Sequence, residues 1–174
     1  MDQDADSVSP EIPVKLYVRV IKATNLCIKE NDISELNPYV SIYLKSNENI
    51  RYRTSVIYDN PNPVWDEVFT FKGIKDIFSE EILVGIKSKK KKDKSVLLAK
   101  LVKISFLSFN LSETKEVEKQ LHWQDQDVGT LYLQIKIEKD NSDKLPTPLN
   151  TENIEFDIEI LGQIFLLTFQ TIKF

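Results

Sequence analysis

The chain has 174 residues, of which 41% are hydrophobic and 29% are charged, and its formal net charge is −4. This length and hydrophobic content favour one domain with a single core. The charge is uneven, because residues 14–138 hold 20 basic and 17 acidic residues whereas the two flanks together hold 3 and 10. A body that is only mildly basic argues against nucleic acid as a partner.

The compartment is indicated by the single cysteine and the N-terminus. One cysteine, Cys27, excludes an internal disulfide, and the acidic N-terminus lacks the basic and apolar regions of a signal peptide. No apolar stretch reaches the roughly 18 residues that cross a bilayer, because the best candidate, residues 154–174, is interrupted by charged and polar side chains. The sequence therefore predicts a cytoplasmic protein whose membrane association is peripheral.

Strand-like segments dominate the chain after an acidic, flexible lead-in at residues 1–13. Eight β-prone runs follow at spacings typical of an all-β, two-sheet antiparallel sandwich, with a short helical turn near residues 73–79 as the one alternative. The runs are Val14–Ala23, Pro38–Leu44, Arg51–Ile57, Val64–Phe71, Glu81–Ile86, Val96–Phe106, Glu116–Trp123 and Gly129–Glu138. We thus expect the sandwich at residues 14–138 and a linker with an apolar tail at residues 139–174.

The first and last runs alternate between apolar and polar residues, which predicts strands with one buried face. In the first run, the inward parity is held by Leu16, Val18, Val20 and then Lys22. In the last run, the inward parity is held by Leu131, Leu133, Ile135 and Ile137. Both strands are predicted to line the core.

A basic run lies where a loop is expected between the fifth and sixth β-prone runs. Residues 87–94 contain six lysines and one aspartate. The lysines are Lys87, Lys89, Lys90, Lys91, Lys92 and Lys94. Such a density of positive charge fits a loop that binds an anionic surface, and it also fits a solvated loop that keeps the domain soluble.

Three parts of the chain, taken in order, resemble a C2 domain. The first joins residues 15–26 to the Asn-Pro-Tyr-Val of residues 37–40, the second joins residues 51–54 to residues 62–71, and the third is residues 82–86 with the lysine run. The loop spacings are most similar to those of the lipid-targeting C2 domain of cytosolic phospholipases A2. The resemblance implies a C2-type sandwich that docks on phospholipid surfaces through three loops at one end.

The resemblance also implies where calcium would bind, since aspartates of these loops typically hold two calcium ions. Here Asn37 stands where an aspartate usually precedes Pro-Tyr, and Ser88 stands at the leading position of the third loop, followed by four lysines. Lysines near a dication add repulsion to the loss of ligands. Calcium is therefore not expected as a cofactor. Weak residual binding is left open at Glu30, Asp32, Glu35, Asn37 and Asp59.

Two further sets of residues are implied as contacts to a membrane that is bound without calcium. Apolar candidates for insertion are Leu26, Ile28, Ile33 and Leu36. For each of them, packing beneath the loop is the alternative. Candidates for a groove that holds an anionic headgroup are Lys45, Arg51, Arg53 and Lys72, and an ordinary solvated surface is their alternative.

No catalytic arrangement is found in the sequence. None of the four glycines begins a Gly-x-Ser-x-Gly elbow, and His122, the single histidine, and Cys27 have no evident catalytic partners. We therefore expect a non-catalytic module that binds anionic phospholipid membranes, as a fragment or short form related to cytosolic phospholipase A2. A protein-interaction adaptor that uses the apolar tail and a weakly calcium-dependent lipid binder are the alternatives.

Overall fold

The computed structural model of the chain describes residues 13–27, 36–90 and 94–141. These residues form nine β-strands and no helix. The strands are β1 (Val14–Thr24), β2 (Pro38–Leu44), β3 (Asn47–Arg53), β4 (Val64–Ile74), β5 (Glu81–Lys89), β6 (Ser95–Leu97), β7 (Val102–Ser105), β8 (Thr114–Trp123) and β9 (Gln126–Lys139). The predicted lead-in and most of the predicted tail lie outside the described residues.

The strands form two antiparallel sheets, which confirms the predicted sandwich. The first sheet has the order β4-β1-β9-β8, and the second has the order β3-β2-β5, with β6 and β7 both paired to β5. The predicted single strand at residues 96–106 is divided, because residues 98–101 leave the ladder and Leu98 and Ala99 are buried in the core. The described part of the chain therefore has one strand more than the sequence predicted.

Alternating burial follows the sequence pattern in β9 and departs from it in β1. In β9, the residues of the predicted inward parity, from Leu131 to Ile137, are all buried. In β1, a shift of register between Val20 and Lys22 moves Ala23 into the core in place of Lys22. A β-bulge adds one residue to a strand and so reverses the parity beyond it, which takes Lys22 off the core face and leaves its Nζ 4.9 Å from the centroid of the Tyr132 ring.

Aromatic side chains close the side of the sandwich where β3 and β4 face each other. The ring of Tyr52 lies 4.9 Å from that of Phe71, edge to face, and its hydroxyl donates a hydrogen bond to the carbonyl of Thr70 at 2.9 Å. Trp65 is buried, and its Nε1–H donates to the carbonyl of Ser55 at 3.1 Å. The buried polar tips of both side chains are thus satisfied, as the core position of such residues requires.

Three connections lie together at one end of the sandwich. We call them the first loop (residues 25–37), the second loop (residues 54–63) and the third loop (residues 90–94). The turn between β8 and β9 lies at the same end, and the connections after β2, β4 and β7 lie at the other end. The helical turn considered for residues 73–79 is not formed, because β4 continues to Ile74 and residues 77–79 form a bend.

Candidate functional site

Asn37 links the first loop to the second loop and to the end of β5. Its Nδ2–H donates a hydrogen bond to the carbonyl of Lys89 at 3.1 Å, and its Oδ1 accepts one from the N–H of Asp59 at 3.0 Å. Its main-chain N–H donates to the Oγ of Ser88 at 3.0 Å, and its carbonyl accepts from the N–H of Lys89 at 2.9 Å. Asn37 is only 8% exposed. These bonds hold the base of all three loops together.

The same bonds bear on whether calcium fits at Asn37 and Ser88. Calcium requires six to eight oxygen ligands, several of them carboxylates. Asn37 already uses both side-chain groups, and Ser88 is 0% exposed with its Oγ bonded to Asn37. Within residues 13–27, 36–90 and 94–141, no three acidic, histidine or cysteine side chains are grouped to hold a metal ion. Glu30, Asp32 and Glu35 lie outside the described residues.

The lysine run begins in the last residues of β5 and continues into the connection between β5 and β6. Lys89 pairs with Ser95, and the N–H of Lys90 donates to the carbonyl of Lys94 at 2.8 Å. Lys94 is exposed, and Lys87, Lys89 and Lys90 are half-buried. Lys91 and Lys92 lie outside the described residues. The sequence predicted that the whole run lies in a loop, whereas β5 continues through Lys87 and Lys89, so these two lysines lie on the strand.

Strand pairing gathers basic residues of three strands and one turn on the outer face of the second sheet. Residues of the same parity along a strand lie on the same face, and the registers of β2 with β3 and β5, and of β5 with β7, align these faces. We call this set the basic face, and its members are Lys45, Arg51, Arg53, Lys87, Lys89 and Lys103. The lysine run is therefore continuous with the two arginines of β3.

The centre of the basic face contains groups that suit an anion. The guanidinium of Arg51 lies 4.2 Å above the ring of Tyr43, and Arg53 lies opposite Ser41 in the ladder. Ser41 is buried on this face, and its Oγ has no hydrogen-bond partner in the described part of the chain. The two guanidinium groups match the oxygens of a phosphate group, whereas the Oγ of Ser41 lies too deep to contact one.

The positive charge of Lys45 on the basic face is offset by an ion pair. Its Nζ lies 2.7 Å from a carboxylate oxygen of Glu81. The hydrogen bond between them raises the pKa of Lys45 and lowers the pKa of Glu81, so both groups are charged at neutral pH. Glu81 is thus a local source of negative charge on this face.

Some predicted site residues are not brought together. Lys72 lies on β4, in the first sheet, where it lines a cavity of about 420 Å³ with Ile50 and Gly73. Leu26 is 3% exposed and Leu36 is 8% exposed, so both pack beneath the first loop, the alternative that the sequence left open. The other two insertion candidates, Ile28 and Ile33, lie outside the described residues.

An exposed aromatic residue at the loop end was missed by the sequence analysis. Tyr58, in the second loop, is 68% exposed. Its neighbour Asp59 is bonded to Asn37, which in turn is bonded to Lys89, so Tyr58 stands close to the lysine run. No periodic pattern marks Tyr58, because it lies between strands. Its only signal in the sequence is an aromatic residue directly before the turn residues Asp-Asn-Pro.

These features define the class of the protein: an antiparallel β-sandwich that presents three loops at one end and a basic sheet face beside them. The family model of the C2 domain matches residues 14–126, and the chain belongs to this family. The predicted resemblance is thereby confirmed. No helix in residues 13–27, 36–90 or 94–141 is long and apolar enough to cross a membrane.

Several characterised proteins are similar to the chain. A calcium-dependent lipid-binding protein of Arabidopsis thaliana is 36% identical over 107 residues, which cover 62% of this chain and 20% of that protein. The human cytosolic phospholipase A2 delta is 37% identical over 57 residues, which cover 33% of this chain and 7% of that protein. A C2 domain of plant extended synaptotagmin 1 has the same fold, with a TM-score of 0.65 and 20% identity over 75% of this chain and 97% of that domain. The chain spans a fifth or less of the two curated relatives.

Proposed function

We propose that this C2 domain is a non-catalytic module that binds anionic phospholipid surfaces without calcium. The observation that carries the proposal is the basic face, which joins the lysine run to Arg51 and Arg53 on one surface beside the loops. Each basic residue near an anionic leaflet contributes about 1 kcal/mol, so the set contributes several kcal/mol before ordering costs. This attraction decays over roughly 8 Å at physiological salt, which makes the binding sensitive to salt.

Calcium independence is supported by the hydrogen bonds of Asn37. In a calcium-binding loop, the ion itself would bring the loops together. Here Asn37 connects Asp59 to Lys89 with an amide, a group that donates and accepts at once. The Arabidopsis relative is named as calcium-dependent, so weak calcium binding is an outcome that the experiment below must distinguish.

The headgroup groove forms a second part of the proposal. Arg51 and Arg53, which share the outer face of β3, would bind a lipid phosphate while the lysine run contacts the surrounding leaflet. Lys45 would take part only if its pairing with Glu81 is weakened. Lys72 is not included, because it lies on β4 in the first sheet.

We further propose a peripheral membrane association in the cytoplasm and a relationship to cytosolic phospholipase A2 as a fragment or short form. The human relative and the loop spacings support this relationship. The lack of a Gly-x-Ser-x-Gly elbow supports the assignment of this chain as non-catalytic.

Co-sedimentation of the 174-residue protein with liposomes tests the function. Neutral and anionic vesicles are compared in calcium or chelator, at low and high salt. We expect binding only to anionic vesicles, equal with and without calcium, and lost at high salt. Binding that requires calcium would support the weakly calcium-dependent alternative. No binding in any condition, with a defined protein captured through the tail, would support the adaptor.

A charge-matched pair of variants tests the site. Replacement of residues 89–92, four consecutive lysines, by glutamine should abolish binding and leave the thermal unfolding transition unchanged. The control variant loses the same charge from the first sheet. Its substitutions are Lys22→Gln, Lys115→Gln, Lys119→Gln and Lys136→Gln. Equal binding by the two variants would remove the lysine run from the site.

A further inference from the structure

Ser95 combines exposure to solvent with a dense basic surrounding. It begins β6, follows Lys94 in the chain and pairs with Lys89 across the hairpin. Its side chain belongs to the outer face of the second sheet, where its Oγ accepts a hydrogen bond from the hydroxyl of Tyr39 at 2.9 Å. β6 is a three-residue strand at the edge of its sheet. A protein partner can therefore reach Ser95 from outside the sheet.

Ser88 provides an internal comparison, because it also lies among the lysines. It is 0% exposed, and its Oγ is bonded to the main chain of Asn37 in the interior of the loop end. An enzyme cannot reach its hydroxyl without opening the sandwich. Of the two serines within and next to the lysine run, only Ser95 is accessible in the folded protein.

We propose that Ser95 is a phosphorylation site for a protein kinase that recognises basic residues on the N-terminal side of its target. In the reaction, the Oγ of Ser95 forms a bond to the γ-phosphorus of ATP, the bond from that phosphorus to the bridging oxygen breaks, and ADP leaves. The hydroxyl proton passes to the catalytic base of the kinase. The lysines that precede Ser95 complement an acidic substrate groove on such an enzyme.

The consequence of this modification rests on the proposed function. A phosphoserine carries about −1.5 to −2 charges at neutral pH. At Ser95 this charge would lie at the edge of the basic face, next to Lys89 and Lys94. It would neutralise part of the charge that attracts the anionic leaflet. Phosphorylation would therefore release the domain from the membrane, with affinity for anionic vesicles falling roughly tenfold to thirtyfold.

The experiment uses the whole chain and two separate readouts. The first incubates the protein and its Ser95→Ala variant with ATP and a panel of purified basophilic kinases, without lipid, and locates the phosphate by mass spectrometry. We expect one phosphate on Ser95 and loss of that phosphate in the variant. The second compares modified and unmodified protein in co-sedimentation with vesicles of phosphatidylserine and phosphatidylcholine. We expect the affinity of the modified protein for these vesicles to be roughly tenfold to thirtyfold lower.

Matched substitutions keep the charge effect apart from folding. Ser95→Glu should also weaken vesicle binding. Ser108→Glu is the control, because Ser108 is exposed at the opposite end of the sandwich and the substitution adds the same charge there. This control variant should bind vesicles as the unsubstituted protein does. Absence of phosphate on Ser95 would overturn the site. Unchanged vesicle binding by the phosphorylated protein would overturn the proposed release from the membrane. Absence of binding by the unmodified protein would overturn the proposed function, while phosphate incorporation would still decide the site.

Discussion

The side-chain amide of Asn37 donates a hydrogen bond to the main-chain carbonyl of Lys89 at 3.1 Å, so a neutral amide bridges the first loop to the strand that leads into the lysine run. A carboxylate at this position could still accept the N–H of Asp59, but it has no proton to offer Lys89. The identity of residue 37 as asparagine is therefore required by its surroundings. In the sequence alone, residue 37 is notable only because it lacks the carboxylate of a calcium ligand.

Replacement of Asn37 by aspartate should destabilise the domain. The new carboxylate would face the carbonyl of Lys89 with no hydrogen between them, in a buried position. We expect the free energy of unfolding to fall by about 1–3 kcal/mol, measured by urea denaturation. Asn60→Asp is the matched control, because among the described residues the Asn60 side chain accepts one bond, from the N–H of Asn62, and an aspartate keeps that bond. Equal stability of the two variants would contradict the proposed role of the amide.

Removal of the negative charge at Glu81 should strengthen binding to anionic vesicles. Glu81→Gln breaks the pairing with Lys45 and releases a positive charge on the basic face. We expect the affinity at low salt to rise roughly fivefold, measured by co-sedimentation, because each basic charge contributes about that factor. Glu116→Gln makes the same change on the first sheet. A gain of the same size in Glu116→Gln would show that overall charge, not the basic face, decides the affinity.

Tyr58 should add an interfacial contact that salt does not screen. An exposed aromatic ring with a polar hydroxyl suits the boundary between headgroups and acyl chains. We expect Tyr58→Ala to lower vesicle affinity several-fold while the slope of affinity against salt concentration stays unchanged. Phe78→Ala removes an aromatic ring that is also exposed, at the opposite end of the sandwich, and should bind normally. A changed salt slope in Tyr58→Ala would point to an electrostatic effect instead.

Gly129 should tolerate a side chain less well than Gly73, although both have a positive φ. A Cβ at Gly129 would lie 2.7 Å from the carbonyl oxygen of Thr24, at the base of the first loop, whereas a Cβ at Gly73 meets nothing within 4 Å. We expect Gly129→Ala to reduce the free energy of unfolding by about 3 kcal/mol and Gly73→Ala by about 1 kcal/mol, as measured by denaturation. Similar losses would show that backbone strain alone, rather than the contact with Thr24, limits position 129.

The sequence was sufficient to predict which residues are buried where the alternation within a single strand decides burial. The inward residues of β9 were predicted correctly, because an uninterrupted strand keeps one parity along its whole length. It failed at Lys22, because a bulge in β1 depends on the strand beside it. It also failed to divide the run at residues 96–106, since the departure of residues 98–101 from the ladder brings Leu98 and Ala99 into the core.

The amino-acid sequence by itself determined the β-sandwich class, because that depends on local alternation and turn residues, and it indicated the C2 family through the resemblance of three ordered segments. Only the tertiary structure placed Lys87 and Lys89 on the same face as Arg53, exposed Tyr58 and gave both side-chain groups of Asn37 a partner. The physical reason is that a surface is made by strands far apart in the chain. Which residues share it depends on strand register, and register is fixed by the packing of the whole sandwich.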